Sequence, residues 1–458
     1  MTLLDSADPR PIHFVGVAGA GMSALAELFV RRGVSVTGCD AYPAGVDDLR
    51  RLGVPLEVGH HPDHVRGARA IVVTSAVPPN HPELIAAREL GIPVVKRAQA
   101  LGEVTAGRGC VAIAGTHGKT TTTVMTAEAL TAAGREPTAV VGGRVSVWGG
   151  NLLPGSEQLY VVEADEYDRS FLTLHPTVAI VTNVEADHLD IYEDLADIRR
   201  TFEEFAGRAR HVVLCADDPG ANSLRTPSSA EVIRYGVQSA DARLVATGVV
   251  QEEGGQRMTV VFDGEVFGDV RLRVPGRHNV LNALAAIGAG LSMGVTLDAM
   301  RPGLEAFGGV ARRFERVGEA HGILVVDDYA HHPTEIVATL EAARTACPGR
   351  RLVAAFQPHL YSRTRDFATE FGAALSAADE IFLCDIYGSR EEPIEGVTAD
   401  LVATAIARAG GRLAWQGERN ALALALAAAA RPGDLVLLMG AGDITHTGPE
   451  LLEKLGAA

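Results

Sequence analysis

The chain is poor in lysine, cysteine and aromatic residues, and it has no long apolar run. Its 458 residues include only three lysines, Lys96, Lys119 and Lys454, so nearly all positive charge is arginine. A net charge of −16 disfavours nonspecific binding to nucleic acid, which requires a basic surface. No apolar run has membrane-spanning length, and the N-terminal sequence M-T-L-L-D-S-A-D-P-R is not typical of a signal peptide. We therefore expect a cytoplasmic protein without membrane insertion.

The five cysteines are scattered along the chain and do not have the spacing of metal ligands. Their odd number suits a reducing compartment. The length predicts two or three domains, and a hydrophobic content of 47% with few aromatic residues is typical of an α/β protein. Because basic charge is scarce, an anionic ligand would have to be bound by glycine loops, helix ends and single arginine or lysine residues.

The stretch 110–125, C-V-A-I-A-G-T-H-G-K-T-T-T-T-V-M, predicts a phosphate-binding loop. A short apolar strand leads into a glycine turn, and a helix is predicted from residue 120, whose N-terminus favours an anion. Lys119 can reach the terminal phosphates, and the hydroxyl of Thr120 or Thr121 can hold Mg²⁺. The common pattern has glycine where Ile113 stands, so this loop is a shortened variant. The alternative is a glycine-rich turn with a surface lysine.

A second glycine loop, G-V-A-G-A-G-M-S at 16–23, lies in a predicted βαβ unit near the N-terminus. A strand over 12–17 precedes it, and a helix over 22–32 and a strand over 34–38 follow. Asp40 comes directly after the second strand, where an acid can bind ribose hydroxyls. The order G-x-x-G-x-G differs from the dinucleotide pattern. We interpret the loop as a nucleotide-diphosphate site; the alternative is a tight turn that binds nothing.

Acidic motifs follow two strands of the central segment, E-A-D-E at 163–166 and N-V-E-A-D-H at 183–188. Acids at strand ends beside a phosphate loop commonly bind Mg²⁺ or orient the nucleophile. Two such ends, one of which closes on His188, predict two metal positions. The alternatives are a solvated acidic turn and, for His188, a structural histidine.

Two further features complete the central segment. Alternating short strands over 242–274 predict a small antiparallel sheet. A helix follows in which His278, Asn279 and Asn282 share one face, where the amides can read the edge of a base. Asn279 can also cap the helix.

Polar motifs follow three strands of a third α/β unit in the C-terminal segment. They are D-D-Y-A-H-H-P-T-E at 327–335, Q-P-H-L-Y-S-R-T-R at 357–365 and G-A-G-D at 440–443. Strand ends that face one cleft are where an α/β domain builds a site. Their arginine and histidine residues suit a carboxylate ligand.

Taken together, these motifs resemble those of the Mur ligase family in colinear order over nearly the whole chain. The first two C-terminal motifs are far more specific than either glycine loop. The resemblance implies an α/β fold of three domains. Residues 1–107 would form a Rossmann-like domain for a UDP sugar, 108–312 a central P-loop ATPase domain, and 313–458 a Rossmann-like domain for an amino acid.

The resemblance also implies an activity in peptidoglycan synthesis. ATP would drive the joining of L-alanine to the lactyl carboxylate of UDP-N-acetylmuramate through an acyl phosphate, with Mg²⁺ as metal cofactor and a monomer or homodimer as the active form. Three alternatives stay open. They are a recycling ligase that adds a whole peptide to the same sugar nucleotide, a nicotinamide-dependent oxidoreductase that uses the first glycine loop, and a noncatalytic sugar-nucleotide binder.

Residue roles follow from the resemblance, position by position. The UDP sugar would be held by Gly16, Gly19, Ala20, Gly21, Met22, Ser23, Asp40 and Ser75. ATP would be held by Gly115, Thr116, His117, Gly118, Lys119, Thr120, Thr121, His278, Asn279, Asn282, Arg313 and Asp328. One Mg²⁺ would bind Thr120 and Glu163, and a second would bind His188. The amino-acid site would comprise Tyr329, His331, His359 and Arg363, and the residues expected to be catalytic are Lys119, Glu163, His188, His331 and Arg363.

The chain departs from the family pattern in three places. Tyr167 follows Glu166 where the acidic motif usually continues with serine. Leu360 stands where arginine is usual, which leaves Arg363 or Arg365 as the carboxylate ligand. Several sister ligases use a carbamylated lysine in the central domain, but no lysine occurs between positions 119 and 454.

Overall fold

The structure is a computed structural model that describes residues 3–42, 45–188, 191–252, 254–389 and 391–456. The chain forms two compact units. The first comprises Met1–Val249, Met258–Arg271 and Val280–Phe307. The second comprises Val250–Arg257, Leu272–Asn279 and Gly308–Ala458. Three β-sheets with their connecting helices make up an α/β fold, as the sequence predicts. None of the helices in the described ranges has the length and apolar character needed to span a membrane.

The first sheet belongs to the first unit and is parallel throughout. Its elements are β1 (Ile12–Val15), α1 (Ala20–Arg31), β2 (Val36–Asp40), α2 (Asp47–Arg51), β3 (Leu56–Val58), a 3₁₀ helix (Pro62–Val65), β4 (Ala70–Val73), α3 (Pro82–Glu89), β5 (Val94–Lys96) and α4 (Arg97–Thr105). The strand order is β3-β2-β1-β4-β5. Because the order reverses between β1 and β4, the loops after these two strands border the crevice where open α/β sheets bind ligands.

The second sheet has ten strands. Its elements are β6 (Gly109–Ala114), α5 (Lys119–Ala132), β7 (Thr138–Val145), β8 (Gly150–Leu153), β9 (Leu159–Glu163), β10 (Val178–Val181), α6 (Leu195–Ala206), β11 (His211–Cys215), α7 (Pro219–Asn222), β12 (Glu231–Gly236), β13 (Leu244–Glu252), β14 (Gly255–Phe262), β15 (Glu265–Leu272), α8 (Arg277–Ser292) and α9 (Leu297–Ala306). The order is β15-β14-β13-β12-β11-β10-β6-β9-β7-β8. The predicted short strands of 242–274, β13 to β15, thus extend the central sheet.

The third sheet belongs to the second unit. Its elements are β16 (Glu315–Ala320), β17 (Ile323–Asp328), α10 (Pro333–Ala346), β18 (Arg351–Phe356), α11 (Tyr361–Leu375), β19 (Glu380–Cys384), α12 (Asp400–Arg408), β20 (Leu413–Gly417), α13 (Arg419–Ala429), β21 (Asp434–Met439) and α14 (Thr447–Gly456). The order is β16-β17-β21-β18-β19-β20. Only β16 runs antiparallel to its neighbour among the pairs with a described register.

Successive side chains of β18 pack into two different core clusters, which explains why the strand is apolar at every position from 352 to 356. Leu352, Ala354 and Phe356 pack into one core cluster, whereas Val353 and Ala355 pack into a second. Successive side chains of a strand point to opposite faces, so a sheet covered on both faces requires apolar residues at every position. The strand ends, where the apolar run stops, are therefore the positions free to carry polar function.

Candidate active site

The phosphate loop lies between two strands whose ends carry the predicted acids. β6 pairs in parallel with β9 on one side and with β10 on the other. Ile113 is opposite Glu163, and Ala114 is opposite Val181. The register therefore brings the loop, the acid of β9 and the residues after β10 to one edge of the central sheet.

Two glycines of the loop are required by backbone angle and by space. Gly115 has φ +135°, and a Cβ there would lie 2.0 Å from Thr182 Oγ1. Gly118 has φ +80° and caps α5, and its Cβ would lie 2.8 Å from Asn282 Oδ1. Any side chain at either position would meet both a strained backbone and an occupied space. Helix α5 begins at Lys119, one residue earlier than predicted.

Lys119 is bound inside the loop rather than extended into solvent. Its Nζ donates to Gly115 O at 2.7 Å, to Thr116 O at 3.2 Å and to Glu166 Oε1 at 2.9 Å. Burial opposes the charge, but Glu166 and Asp165 outweigh it and hold the pKa of Lys119 above its usual value. Burial raises the pKa of Glu166 to about 7 against the attraction of Lys119. The arrangement keeps a cation at the helix N-terminus, where phosphate groups bind.

Thr120 and Glu163 supply three oxygen atoms beside Lys119. Thr120 Oγ1 lies 3.1 and 3.0 Å from the two carboxylate oxygens of Glu163. The backbone N–H of Gly142 donates to Glu163 Oε2 at 2.7 Å and fixes the carboxylate. Hydroxyl and carboxylate oxygens are the ligands that Mg²⁺ prefers, so the chemistry of this pair fits the predicted metal position.

His188 lies at the same edge. Its Nε2 is 3.8 Å from Glu166 Oε1 and 3.8 Å from Asp187 Oδ2. Its backbone is left-handed, with φ 54°. Residues with such angles concentrate at functional sites, because the surrounding structure must hold them there. The structure thus brings Lys119, Thr120, Glu163 and His188 together. The motif continues with residues 189 and 190, which lie outside the described ranges.

Thr182 and Asn183, which follow β10 and were not predicted as individual site residues, brace the loop. Asn183 Oδ1 accepts from His117 N–H at 2.7 Å, and its Nδ2 donates to His117 O at 3.2 Å. Thr182 Oγ1 also donates to His117 O, at 2.6 Å. Thr116 Oγ1 accepts from the N–H of Glu185 at 2.9 Å. These bonds fix the path of a loop that has no regular secondary structure.

The N-terminal glycine loop is closed by Asp40. Its Oδ2 accepts from Ala18 N–H at 2.9 Å, and its Oδ1 accepts from Tyr42 N–H at 3.0 Å. Gly16 has φ +77° and turns the chain out of β1. Helix α1 begins at Ala20, two residues earlier than predicted, with Gly19 as its N-cap. Asp40 therefore fixes the path of the loop, and it also lies at the position predicted to bind ribose hydroxyls.

The remaining predicted residues of this loop are already engaged with the protein. Ser23 Oγ donates to Ala20 O at 3.0 Å, and Met22 is 2% exposed. A Cβ on Gly21 would lie 3.1 Å from Arg97 Nη1. A side chain at position 21 would require the guanidinium of Arg97 to shift by a few tenths of an ångström.

A basic residue and a serine of the first sheet meet the central segment at Asp168. Lys96 Nζ donates to Asp168 Oδ2 at 2.7 Å, and Ser75 Oγ donates to the same oxygen at 2.8 Å. Lys96 is the last residue of β5, and Ser75 lies two residues after β4, both at the carboxyl edge of the first sheet. Asp168 has φ 53°, again in the left-handed region. Ser75 was predicted from the sequence as a site residue, whereas Lys96, one of only three lysines, was not.

The predicted adenine residues lie on the first turns of α8, which begins at Arg277. Asn282 Oδ1 accepts from Thr122 Oγ1 at 3.1 Å, so α8 packs against α5 behind the phosphate loop. Asn279 Nδ2 donates to Pro275 O at 2.7 Å. Burial, with Arg313 contributing, lowers the pKa of His278 to about 4, so its ring is neutral at pH 7.

The second unit brings the four predicted amino-acid ligands together at the strand ends of its sheet. The ring centroids of Tyr329 and His331 are 5.0 Å apart, and those of His331 and His359 are 6.0 Å apart. Arg363 Nη1 lies 3.4 Å from His359 Nδ1. Tyr387, which the sequence analysis missed, stacks on His359 with centroids 6.0 Å apart. A cationic side chain and polar rings line one patch, as a carboxylate ligand requires.

Asp328 and Arg313 shape the segment before this patch. Asp328 accepts from Phe314 N–H at 2.7 Å and from Ala330 N–H at 2.8 Å. Burial raises its pKa to about 6, although Arg313 opposes the shift. The Arg313 guanidinium lies 4.9 Å from the centroid of the Tyr329 ring. Arg312, which was not predicted, lies at the same distance from this ring and donates to Gly440 O at 2.6 Å.

Leu360 caps α11 in a left-handed conformation with φ 69°. It is only 9% exposed, and its N–H donates to Tyr387 O at 3.0 Å. The leucine thus fills a buried position at the start of the helix that carries Arg363. Arg363 is itself 7% exposed, whereas Arg365 forms an exposed ion pair with Asp366 at 2.7 Å. The geometry favours Arg363 over Arg365 as the predicted carboxylate ligand.

Family comparisons agree with this organisation. The model of the Mur ligase family catalytic domain matches residues 11–108. The Mur ligase middle domain matches residues 113–290, and the Mur ligase glutamate ligase domain matches residues 312–442. The chain belongs to the Mur ligase family, whose members are ATP-dependent ligases.

Within that family, the chain is similar to ligases for alanine and to a murein peptide ligase. UDP-N-acetylmuramate–L-alanine ligases of Acidothermus cellulolyticus and Kineococcus radiotolerans are each 47% identical over 97% of this chain, and the matches cover 94% and 96% of those proteins. The solved UDP-N-acetylmuramate–alanine ligase of Thermotoga maritima is 30% identical with a TM-score of 0.84, over 98% of this chain and 99% of that one. A murein peptide ligase of Psychrobacter arcticus is 28% identical with a TM-score of 0.72, over 98% and 99%.

Proposed function

We infer that this protein joins L-alanine to the lactyl carboxylate of UDP-N-acetylmuramate and converts ATP to ADP and phosphate, a step of peptidoglycan synthesis. The observation that carries the inference is the buried Lys119–Glu166 pair in a glycine loop between acidic strand ends. The identity of 47% to alanine ligases over almost the whole chain supports the choice of substrates. The expectations of an ATP-dependent ligase and of the α/β fold are confirmed.

The reaction proceeds in two displacements. A lactyl carboxylate oxygen attacks the γ-phosphorus, the bond from that phosphorus to the bridging oxygen breaks, and ADP leaves. The neutral amine of alanine then attacks the acyl phosphate at its carbonyl carbon. Phosphate departs with the former carboxylate oxygen, and the nitrogen loses its surplus proton. Lys119 offsets the negative charge on the transferring group from a fixed position, which is the main source of rate in phosphoryl transfer.

We assign the proton transfer at the amine to His331. Its Nδ1 lies 2.9 Å from Tyr329 O. In the tautomer that places the proton on Nδ1, this bond orients the ring and leaves a lone pair on Nε2. That lone pair can accept a proton from the ammonium of alanine. Arg363 binds the carboxylate of alanine through its planar guanidinium, with His359 beside it.

A magnesium site is proposed at the loop. Thr120 and Glu163 would hold the ion, and His188 is the proposed ligand of a second ion. Bound Mg²⁺ would neutralise phosphate charge. The carboxylate of Glu163 is held ready by the N–H of Gly142 at 2.7 Å.

Several finer statements are also proposals. We place the domain boundaries after residues 107 and 312. We assign the UDP sugar to the crevice of the first sheet, with the 16–23 loop, Asp40 and Ser75 as its ligands. We assign ATP to the phosphate loop and to the predicted residues of 278–282 and 313–328. We propose a monomer or homodimer, and a cytoplasmic location because the reaction consumes ATP.

The recycling ligase is the second candidate, because it would use the same sugar nucleotide and phosphate loop. The comparisons favour the alanine ligase, since the structural similarity to the alanine ligase of Thermotoga maritima, with a TM-score of 0.84, exceeds the 0.72 to the murein peptide ligase. Phosphate release with UDP-N-acetylmuramate should be measured against free amino acids and the tripeptide L-alanyl-γ-D-glutamyl-meso-diaminopimelate. We expect turnover with L-alanine; turnover with the tripeptide alone would favour the second candidate, and none with either would leave a sugar-nucleotide binder.

A further inference from the structure

A cluster of metal-binding side chains lies on the first sheet, in the first unit. It comprises His13 on β1, Cys39 on β2, His64 in the 3₁₀ helix and Glu83 on α3, and one ligand atom of each lies within 4.8 Å of the other three. His13, Cys39 and Glu83 are at most 1% exposed. We propose that these four side chains bind one Zn²⁺ ion as a structural site.

The spacing of the ligand atoms is close to that of a zinc site. Cys39 Sγ lies 3.2 and 3.1 Å from the two oxygens of Glu83, and His64 Nδ1 lies 2.8 Å from Glu83 Oε1. Ligands bound tetrahedrally at about 2.0–2.3 Å lie about 3.3–3.8 Å from one another. Shifts of about 1 Å would therefore convert this hydrogen-bonded cluster into a coordination shell.

His13 provides evidence for a bound ion that does not depend on the spacing of the ligand atoms. Its Nδ1 lies 2.9 Å from Thr37 Oγ1, while its Nε2 is buried and has no hydrogen-bond partner among the described residues. An unpaired buried polar atom destabilises the folded state. When Nδ1 donates to Thr37, the Nε2 lone pair is free for a metal, and a metal-bound histidine commonly donates its other N–H in this way.

Two more histidines surround the same carboxylate. His60 Nδ1 lies 3.6 Å and His81 Nδ1 4.0 Å from Glu83 Oε2, and His60 Nδ1 is 3.4 Å from Cys39 Sγ. The Cys39 thiol donates to Glu83. Zinc binding would break the S–H bond, form a Zn–S bond and release the proton to solvent. The two outer histidines lie beyond hydrogen-bond distance of Glu83 and surround the proposed ligand carboxylate.

The ligand types identify the metal and its role. A thiolate and two imidazoles suit Zn²⁺ and exclude Mg²⁺ or Ca²⁺, which bind oxygen ligands. Four protein ligands leave no open position for a substrate, so the site is structural. The ion would join β1, β2, the 3₁₀ helix and α3. Because the N–H of Gly16 donates to Cys39 O at 2.9 Å, the site would also steady the base of the first glycine loop.

Metal content and cobalt spectra test the proposal on the full chain. The protein is freed of metal with a chelator, loaded with Zn²⁺ or Co²⁺, and washed. We expect one zinc per chain and, with cobalt, a thiolate-to-metal charge-transfer band. Cys39→Ser should lose the band and most of the zinc, whereas Cys347→Ser, which removes a cysteine of the other unit, should keep both. Glu163→Gln should also keep the zinc and the charge-transfer band, because Glu163 is not a ligand of the proposed zinc site. Zinc bound at the proposed magnesium position would have no thiolate ligand.

The proposal fails if washed wild-type protein retains no more zinc than Cys39→Ser, or if its cobalt spectrum lacks the thiolate band. If Cys39→Ser does not fold, the wild-type spectrum and thermal unfolding decide. Zinc should raise the unfolding midpoint of the wild type and of Cys347→Ser. An unchanged midpoint in both would refute a structural role, whatever the catalytic activity.

Discussion

Replacing Lys119 by alanine separates the role of this lysine in catalysis from its role in folding. The variant loses a cation aimed at the phosphate position and three hydrogen bonds, to Gly115 O, Thr116 O and Glu166. Loss of one fixed electrostatic contact to a transition state costs about 10²–10³-fold in kcat. We expect a fall at least that large, measured as phosphate release with all substrates saturating. Lys454→Ala, in the last helix, is the matched control and should keep wild-type turnover.

The same variant should be only modestly destabilised at neutral pH. An ionised carboxylate left buried without its partner would cost about 3–5 kcal/mol. The pKa of Glu166 is already about 7 in the wild type, so at pH 7 the carboxyl can become neutral at a cost under about 1 kcal/mol. When the pKa of a carboxyl is higher in the folded than in the unfolded protein, the free energy of unfolding falls as the pH rises. The variant should therefore lose up to about 1.4 kcal/mol per pH unit above pH 7 relative to the wild type.

Chemical denaturation at about pH 7 and about pH 9, with circular dichroism, measures this difference. In the double variant Lys119→Ala, Glu166→Gln the extra pH dependence should vanish while turnover stays lost. Near-wild-type phosphate release by folded Lys119→Ala would refute the loop assignment. Parallel pH profiles of Lys119→Ala and the wild type would instead show that Glu166 is not the partner that fixes this lysine.

Three further predictions follow from the metal, carboxylate and histidine contacts. Glu163→Gln and His188→Gln should each raise the Mg²⁺ concentration for half-maximal rate at least about tenfold, because each removes a ligand; an unchanged Mg²⁺ titration in both would make them structural residues. Arg363→Lys should raise the alanine KM about 10- to 100-fold with the ATP KM unchanged, because the planar guanidinium contact is lost; an effect from Arg365→Lys instead would move the ligand to that residue. Neutral His278 stabilises the fold above its unfolded pKa of about 6.5, and this contribution, at most about 3 kcal/mol, is lost as pH falls to about 4. In His278→Gln, the free energy of unfolding in urea should therefore depend less on pH in that range. A pH dependence equal to that of the wild type would contradict the burial of the ring.

The sequence predicts local features of the site well, because they depend on neighbouring residues. A strand, a glycine turn and a lysine before a helix are contiguous, and the structure confirms them over 109–132. Glu163 and Asp328 were predicted to follow their strands, but they are the last residues of β9 and β17. Helix starts were late by one or two residues at α5 and α1, because a glycine cap permits a helix to begin immediately after it.

What the sequence could not predict depends on contacts between distant segments. Glu166 was seen only as part of an acidic run, and its bond to Lys119 joins residues 47 positions apart. The bond from Lys96 to Asp168 spans 72 positions. Cysteine spacing gave no sign of the cluster at Cys39, because its ligands come from four separate elements of the first sheet. A motif reveals a ligand set only when the ligands are close in sequence.

In the proposed reaction, phosphoryl transfer activates the lactyl carboxylate, and alanine attacks the resulting acyl phosphate. UDP-N-acetylmuramate labelled with heavy oxygen in both positions of its lactyl carboxylate tests this most directly. With ATP and L-alanine, mass spectrometry should find one labelled oxygen in the released phosphate and the other in the amide of UDP-N-acetylmuramoyl-L-alanine. Unlabelled phosphate, or a product that lacks alanine, would contradict the account.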